Sequence, residues 1–420
     1  MSRLDELIAE LCPDGVEYRT LGEVLVSLKT GLNPRQNFVL NTEDAQNYYV
    51  TVRELAGLSV QFSEKTDRIN DDALTRINGR SNLEQNDILF SGTGTIGRTA
   101  IVTSAPWNWN VKEGVYVLKP RMDLLEPFFL LYMLSATFIQ RRYRDNIVGS
   151  PVVSLPMSAF KSLLIPVPPL EIQREIVKIL DNFTALAAAL ADELQARKKQ
   201  YEYYRDLLLS YDEDGNPRMA DGQKAVWMTL GEVCSKVSSG GTPLATNPSY
   251  YNGDIPWLRT QEVDWVDITD TGVKITEIGM TNSSAKWIPA NCVIVAMYGA
   301  TAAKVAINKI PLTTNQACCN LEADPDYVHY RFMFHWLSMK YLELKSMGRG
   351  SQANINGEIV KSFPIPIPPL AEQERIVAIL DRFDALVNDI SSGLPAEIEA
   401  RRKQYEYYRD QLLTFEEKHG

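Results

Sequence analysis

Cysteine and histidine are scarce in this chain, with five and three copies among 420 residues. The cysteines (Cys12, Cys234, Cys292, Cys318, Cys319) are odd in number and lack CxxC spacing. Neither a disulfide framework nor a zinc cluster is expected, and a reducing cytoplasm is the expected location. No apolar run approaches the ~20 residues of a membrane span; the best, Leu124–Leu134, is interrupted by Glu126 and Pro127. The opening MSRLDELIAEL carries acids where a secretory signal would be apolar, so no export is expected. A GxxxxGK[ST] loop, an HExxH helix and a GxSxG elbow are all absent. The Pro-Pro pairs at 168–169 and 368–369 lack the flanking Asn or Asp and aromatic of an adenine methyltransferase loop. Gly92–Gly97 satisfies GxGxxG, but RTAIVTS follows it, a strand pattern, where a dinucleotide site needs a helix. A glycine-rich hairpin turn is the better reading. Cys318-Cys319 reads as buried in a strand, and His329 and His335 as packing residues on an aromatic helix. No residue set reads as catalytic, so the chain is expected not to be an enzyme.

Basic residues are the minority, 43 against 53 acidic for a net charge of −10, which alone argues against nucleic acid. The distribution matters more than the sum. Tyr18–Ser150 holds 15 basic and 14 acidic residues, and 225–352 holds 10 and 11. The acidity is concentrated in 1–17, 163–218 and 363–420, leaving two large blocks near neutral.

What the chain does have is an internal repeat, which sets the architecture. IPVPPLEIQREIVKILD (165–181) matches IPIPPLAEQERIVAILD (365–381) at 11 of 17 positions, and ARKKQYEYYRDLLL (196–209) matches ARRKQYEYYRDQLL (400–413) at 12 of 14. Upstream, Leu21–Val24 (LGEV) recurs at Leu230–Val233, and GSPVVSLPMSAFKS (149–162) aligns with GSQANINGEIVKS (350–362). The order is a variable block of about 140 residues and a well-matched block of about 50, twice.

The matched blocks read as helices entered through an extended Ile-Pro-Val-Pro-Pro segment, with Pro169 able to occupy the first turn. Ile172, Ile176, Ile179, Phe183, Leu186, Leu190, Leu194, Arg197, Tyr201, Tyr204 and Leu208 recur at steps of mostly 3 and 4, a coiled-coil seam. The second copy runs Ile376, Ile379, Phe383, Leu386, Ile390, then Ile398, Arg401, Tyr405, Tyr408 and Leu412. A four-residue insertion with Gly393 and Pro395 should break or kink it. At 1.5 Å per residue, about 40 residues make a rod of roughly 60 Å, and two such rods would most simply pair antiparallel.

The variable blocks read as mixed α and β. Residues 87–103 and 292–308 share a strand–turn–strand layout, with a helical stretch following in each at Glu126–Tyr143 and Pro325–Lys345. Leu4, Leu7, Ile8 and Leu11 mark a short amphipathic helix, and 211–224 reads as a polar linker. Arg141, Arg142 and Arg144 end a helix beside the Gly149-Ser150 turn, as Lys340, Lys345 and Arg349 do beside Gly350-Ser351. Each is read as a DNA-facing edge, with a solvated helix end as the plain alternative.

The repeated [IV]P[IV]PPLxxQ…IVxILD entry, the ARxKQYEYYRDxLL exit and the run YNGDIPWL (Tyr251–Leu258) resemble the specificity subunit of type I restriction–modification systems over nearly the full chain. The resemblance implies an α+β fold with an internal pseudo-two-fold repeat. Two mixed target-recognition domains (1–160 and 219–360) would be joined by helical spacers (161–218 and 361–420) in an antiparallel coiled coil. It implies a non-catalytic, DNA-binding subunit in which each domain reads half of a bipartite double-stranded target. The partners implied are two methyltransferase (modification) subunits and restriction (motor nuclease) subunits. S-adenosylmethionine would belong to the former, ATP with Mg to the latter, and no cofactor to this chain. Loop position and the family's layout nominate Arg35, Thr93, Thr95, Arg98, Asn108, Asn110, Lys112 and Ser150 as DNA contacts in the first block. In the second they nominate Thr242, Arg259, Tyr298, Lys304, Asn315, Gln316, Ser351 and Gln352, with Arg349 at the helix end. Tyr201, Tyr204, Arg205 and their copies Tyr405, Tyr408, Arg409 are expected to serve coil pairing or partner docking. The competing reading is a coiled-coil scaffold that binds proteins and has no DNA specificity.

Overall fold

A computed structural model describes residues 3–35, 37–348, 354–388 and 392–418. The chain divides into two compact units. Unit 1 comprises 1–190 and 398–420, and unit 2 comprises 191–397.

In unit 1 an antiparallel sheet runs Leu25–Thr30, Val115–Pro120, Ile88–Ser91, Thr99–Ile101 in spatial order. A second sheet places Asn47–Val50 between Arg68–Ile69 and Trp109–Val111, the last pairing parallel. Helix Pro127–Ser135 packs on the first sheet through Phe129, Leu130 and Met133, all fully buried. Pro127 at its first turn and the Glu126 cap, accepting from Phe129 N at 2.7 Å, start it. Ala136 ends it, and a second helix, Thr137–Arg144, follows, so the expected single stretch is two helices.

Unit 2 repeats the plan with a longer sheet, Cys234–Ser239, Cys318–Ala323, Val293–Ala296, Val305–Asn308, Asp267–Ile268. Its second sheet orders Lys274–Ile275, Tyr251–Leu258, Leu312–Thr314, Trp287–Ile288, again with the inner pair parallel. Helix Tyr330–Met339 covers the sheet and Tyr341–Ser346 follows it. Cys318 and Cys319 lie buried in their strand, and burial pushes the Cys318 thiol up to about 12.

The matched segments close each unit in the same way. Tyr18–Thr20 pairs with Leu164–Pro166, and Val226–Thr229 with Pro364–Ile367. The Leu-Gly-Glu-Val turn then closes on itself, Glu23 accepting from Thr20 N at 2.8 Å and Glu232 from Thr229 N at 2.7 Å. The proline-rich lead-in is thus a two-stranded clasp, with its prolines at an edge where no ladder donor is needed.

The first long helix is Leu170–Leu208, 39 residues, capped by the Pro169 carbonyl. The second is interrupted, Leu370–Asn388 ending before Leu394–Leu413 begins, as the insertion predicts. Pro395 falls in the first turn of the later helix, where its missing N–H costs nothing, and Gly393 O accepts from Ala396 N. Ile390 of the expected seam lies outside the described residues. Residues 211–224 are not a loose linker. Met219 packs on the unit 2 core, Trp227 Nε1 donates to Asp212 O at 2.8 Å, and Asp221 faces Arg375. Among the described residues no helix is long and apolar enough to cross a membrane.

Candidate nucleic-acid interface

Parallel pairing of the inner strands brings two chain segments out side by side. In unit 1 Val50 pairs with Val111, so Thr51–Glu54 and Lys112–Gly114 leave the sheet together. The first forms a 3-10 turn closed by a capping box: Glu54 Oε2 accepts from Thr51 N at 2.8 Å and Thr51 Oγ1 at 2.7 Å. The Gly92–Gly97 hairpin turn reaches the same edge, since Gly92 N donates to Gly114 O at 2.8 Å and Arg98 Nη1 to Val52 O at 3.4 Å. Loop 148–154 lies against that turn through Gly94 N to Val153 O and Leu155 N to Gly92 O. Together they bound an open concavity of about 410 Å³ lined by Thr51, Arg53, Asp67, Thr93 and Lys112.

Unit 2 builds the same edge from different residues. Leu258 pairs with Thr314, bringing out Arg259–Glu262 and Asn315–Ala317. Glu262 closes its turn, accepting from Arg259 N at 3.3 Å and Gly272 N at 2.7 Å. The turn between Val293–Ala296 and Val305–Asn308 reaches over through Met297 N to Ala317 O, and Thr301 Oγ1 donates to Thr260 O at 2.8 Å. Asn354 and Ile355 abut it, Asn354 Oδ1 accepting from Gly299 N at 3.2 Å and Ile355 N donating to Met297 O. Two glycines permit the close approach beneath each edge. A Cβ at Gly31 would overlap the Val111 carbonyl, and one at Gly240 the Thr314 carbonyl. The turn apices Gly94 (φ +75) and Gly299 (φ +81) both need the left-handed region.

The nominated residues divide on this geometry. Thr93, Thr95, Arg98, Lys112 and Ser150 are exposed on the unit 1 edge or its adjoining loop, and Arg35 follows three residues after Leu32 bridges to Lys112. In unit 2, Thr242 and Gln316 hydrogen-bond each other beside Asn315, Arg259 and exposed Tyr298. Three placements correct the expectation. Asn110 is fully buried and its amide is consumed by Asn78 Oδ1, Ser81 O and Val111 N, so it packs. Asn108 lies at the far end of strand Trp109–Val111 from Lys112, its carbonyl taken by Tyr48 N. Lys304 is clamped by Asp264 at 2.6 Å and the Trp265 ring at 4.5 Å.

Of the helix-end cations, Arg142 is a strut, donating to Leu164 O at 2.9 Å. Arg144 is tied to Gln140, Arg141 is exposed, and Lys340 and Lys345 bind Glu343 and the Tyr341 hydroxyl. Arg349, Ser351 and Gln352 lie outside the described residues. The helix aromatics are engaged within their own units. Phe183 stacks on Tyr408 in unit 1, and Phe383 lies against Tyr204 and Tyr201 in unit 2. Arg409 is buried and bonded to Asp410, and Arg205 to Asp206.

Sequence reasoning missed two exposed side chains on the turns, Arg53 and Gln261. The pattern Thr51-x-x-Glu54 was a usable capping-box signal, whereas Arg259-x-x-Glu262 lacks the hydroxyl that marks one. The Gly92–Gly97 motif joins two strands with no helix after it, so the dinucleotide geometry is missing. Among the described residues no group of three or more His, Cys, Asp or Glu is arranged to hold a metal ion.

A family model described as the type I restriction modification DNA specificity domain matches residues 13–197 and 224–400. The EcoR124I/EcoR124II type I specificity subunit of Escherichia coli is 41% identical over 255 residues, spanning 59% of this chain and 60% of that one. The subunit assigned to the MjaX type I restriction enzyme of Methanocaldococcus jannaschii is 25% identical over 405 residues, 93% of this chain and 92% of that one. A chain from a type I R-M system solved for its complex assembly and conformational transition aligns with TM-score 0.61 at 19% identity. That alignment covers 96% of this chain and 98% of the other, and it shows a shared fold.

Proposed function

Because the chain belongs to the type I restriction modification DNA specificity family, we propose that it is the subunit that selects the DNA target of a type I complex, each unit reading one half of a bipartite sequence. The observation that carries this is the contrast within the repeat: the two units share the buried-glutamine and Thr–Glu turn hydrogen bonds of their frame, while the residues on the matching edges differ. A frame held constant under unlike edges is what reading two different half-sites requires. The chain performs no chemistry itself, holds no cofactor, and acts in the cytoplasm. Modification subunits carrying S-adenosylmethionine dock on it, and restriction subunits using ATP and Mg join them. We assign target recognition to 1–160 and 219–360, and spacing to 161–218 and 361–420.

The helices pair as an antiparallel coil in this reading. Its support is the order of partners: Phe183 with Tyr408, then, further along the first helix, Tyr204 with Phe383. A chain this near to neutral in its reading blocks gains affinity when partners add basic surface around the duplex. The test is to co-express the chain with its modification subunit and map modified bases by single-molecule sequencing. A split motif with a fixed gap is expected; a continuous motif, or modification without the chain, would overturn the reading.

A further inference from the structure

Arg53 sits on the capping-box turn at the unit 1 edge with its side chain 56% exposed, yet it is held in one orientation. Its Nη2 donates to Asp67 Oδ2 at 2.7 Å and its Nε to Thr51 Oγ1 at 3.3 Å. Asp67 is itself fixed, its Oδ1 accepting from Asn41 Nδ2 at 3.0 Å and its carbonyl from Tyr49 N at 2.8 Å. Among the described residues Nη1 has no hydrogen-bond partner, and the side chain lines the open concavity at this edge. Asp67 and, at 3.8 Å from Nε, the Glu54 carboxylate offset the Arg53 charge, so the group adds little to the counterion release that rewards phosphate contacts. What it supplies is a planar fork with two donors and a fixed direction, suited to bidentate recognition.

The same step of the unit 2 turn, one residue before its closing glutamate, is Gln261, which is also exposed. Both turns are locked by that glutamate, and both abut the hairpin turn through a hydrogen bond to the preceding residues' carbonyls, Arg98 to Val52 and Thr301 to Thr260. An arginine fork matches the O6 and N7 acceptors of guanine in the major groove, and a glutamine amide the N6 and N7 of adenine.

We propose that this turn position determines one base in each half-site, Arg53 selecting a guanine through unit 1 and Gln261 an adenine through unit 2. The inference rests on the DNA-reading role argued above and names the side chains that carry part of it.

The test uses the full chain co-expressed with its modification subunit, with modified sites mapped for the wild type, Arg53→Gln, Arg53→Lys and Gln261→Arg. Arg53→Gln and Arg53→Lys should each lower the preference for guanine at one position of one half-site by about 10- to 100-fold. Gln261→Arg should replace adenine by guanine at one position of the other half, and the gap should stay constant. Unchanged motifs in all variants, changes spread over both halves, or loss of modification by both Arg53 variants would overturn the proposal. If the wild type itself yields no split motif, the DNA-reading role fails instead.

Discussion

The two units are the same device at their frames and different devices at their edges. In unit 1 Gln173 accepts from Glu126 N at 2.9 Å and donates to Leu124 O and Pro168 O. In unit 2 Gln373 accepts from His329 N at 2.8 Å and donates to Tyr327 O and Pro368 O. Each amide is wholly buried and ties the start of the covering helix to the start of the long one. The edges diverge at once: Arg98 is exposed on its turn, whereas its counterpart Lys304 is clamped on Trp265. Exposed Thr93 on the unit 1 turn faces the role that Tyr298 takes in unit 2. Frame and edge are therefore separable, and substitutions in the frame should act on stability while those in the edge act on recognition.

The largest expected effect tests the sameness of the frames. Gln173→Ala and Gln373→Ala should each destabilise by about 3 kcal/mol, since each strands one donor and two acceptors inside the protein. Denaturant unfolding of the two variants would break the comparison if one cost less than half of the other.

A smaller effect sharpens the difference between them. Asp181 and Asp381 occupy the same step of the repeat, but Asp181 accepts from the Tyr132 hydroxyl at 2.6 Å, while Asp381 meets His335 Nε2 at 2.7 Å and Arg331 Nη2 at 2.8 Å. Although burial works against it, His335 and Arg331 hold the Asp381 carboxyl below the usual carboxylate range. Asp381→Ala should cost about 2 kcal/mol, reduced from a fully buried pair because the carboxylate is about a third exposed. Asp181→Ala should cost about 1 kcal/mol, the worth of a single hydrogen bond whose carboxylate partner is solvent-exposed. Equal losses in denaturant melts would remove the distinction.

The frame was legible in the sequence because it repeats. Identity between 165–181 and 365–381 revealed the repeated extended lead-in and both helix starts, whereas the pairing of that lead-in into a clasp and the burial of Gln173 and Gln373 emerge only in the structure. The insertion's glycine and proline marked the helix interruption for the same reason: both act through the local backbone. The edge was only half legible. A loop can be guessed from glycine spacing, as at 92–97, but whether a polar side chain faces out depends on long-range neighbours. Asn110 turned inward because Asn78, on helix Asp71–Arg80, and Ser81, which ends that helix, consume its amide. Lys304 was lost to Asp264 and Trp265, 40 residues away in the chain. Arg53 escaped notice because its aim is set by Asp67 across the sheet, which no pattern around residue 53 announces.

The smallest effect separates the units by sign and not by size. Glu126 and His329 cap the equivalent helices and are both partly buried, so burial acts oppositely on them. Burial raises the Glu126 carboxyl above its ordinary value, with Asp181 adding to the rise and Arg174 and the Phe128 and Phe129 amides opposing it. Burial lowers the His329 imidazole, with Arg331 and His335 adding to the fall and Asp381 and Glu374 opposing it. Consider mild acidification from neutral pH. Below about 6.5 the unfolded chain protonates residue 329 more readily than the folded one, so unit 2 loses stability. Below the raised value of Glu126, and down to its ordinary 4.5, the folded chain binds the extra proton, so unit 1 gains stability. Hydrogen exchange, corrected for intrinsic rates, should therefore show helix Tyr330–Met339 losing protection between pH 7 and 5 while Pro127–Ser135 holds or gains it. Replacing His329 by Gln should abolish the unit 2 loss and leave the unit 1 trend in place. Parallel changes in the two helices, or a His329→Gln profile identical to the wild type, would show that the caps do not set the response.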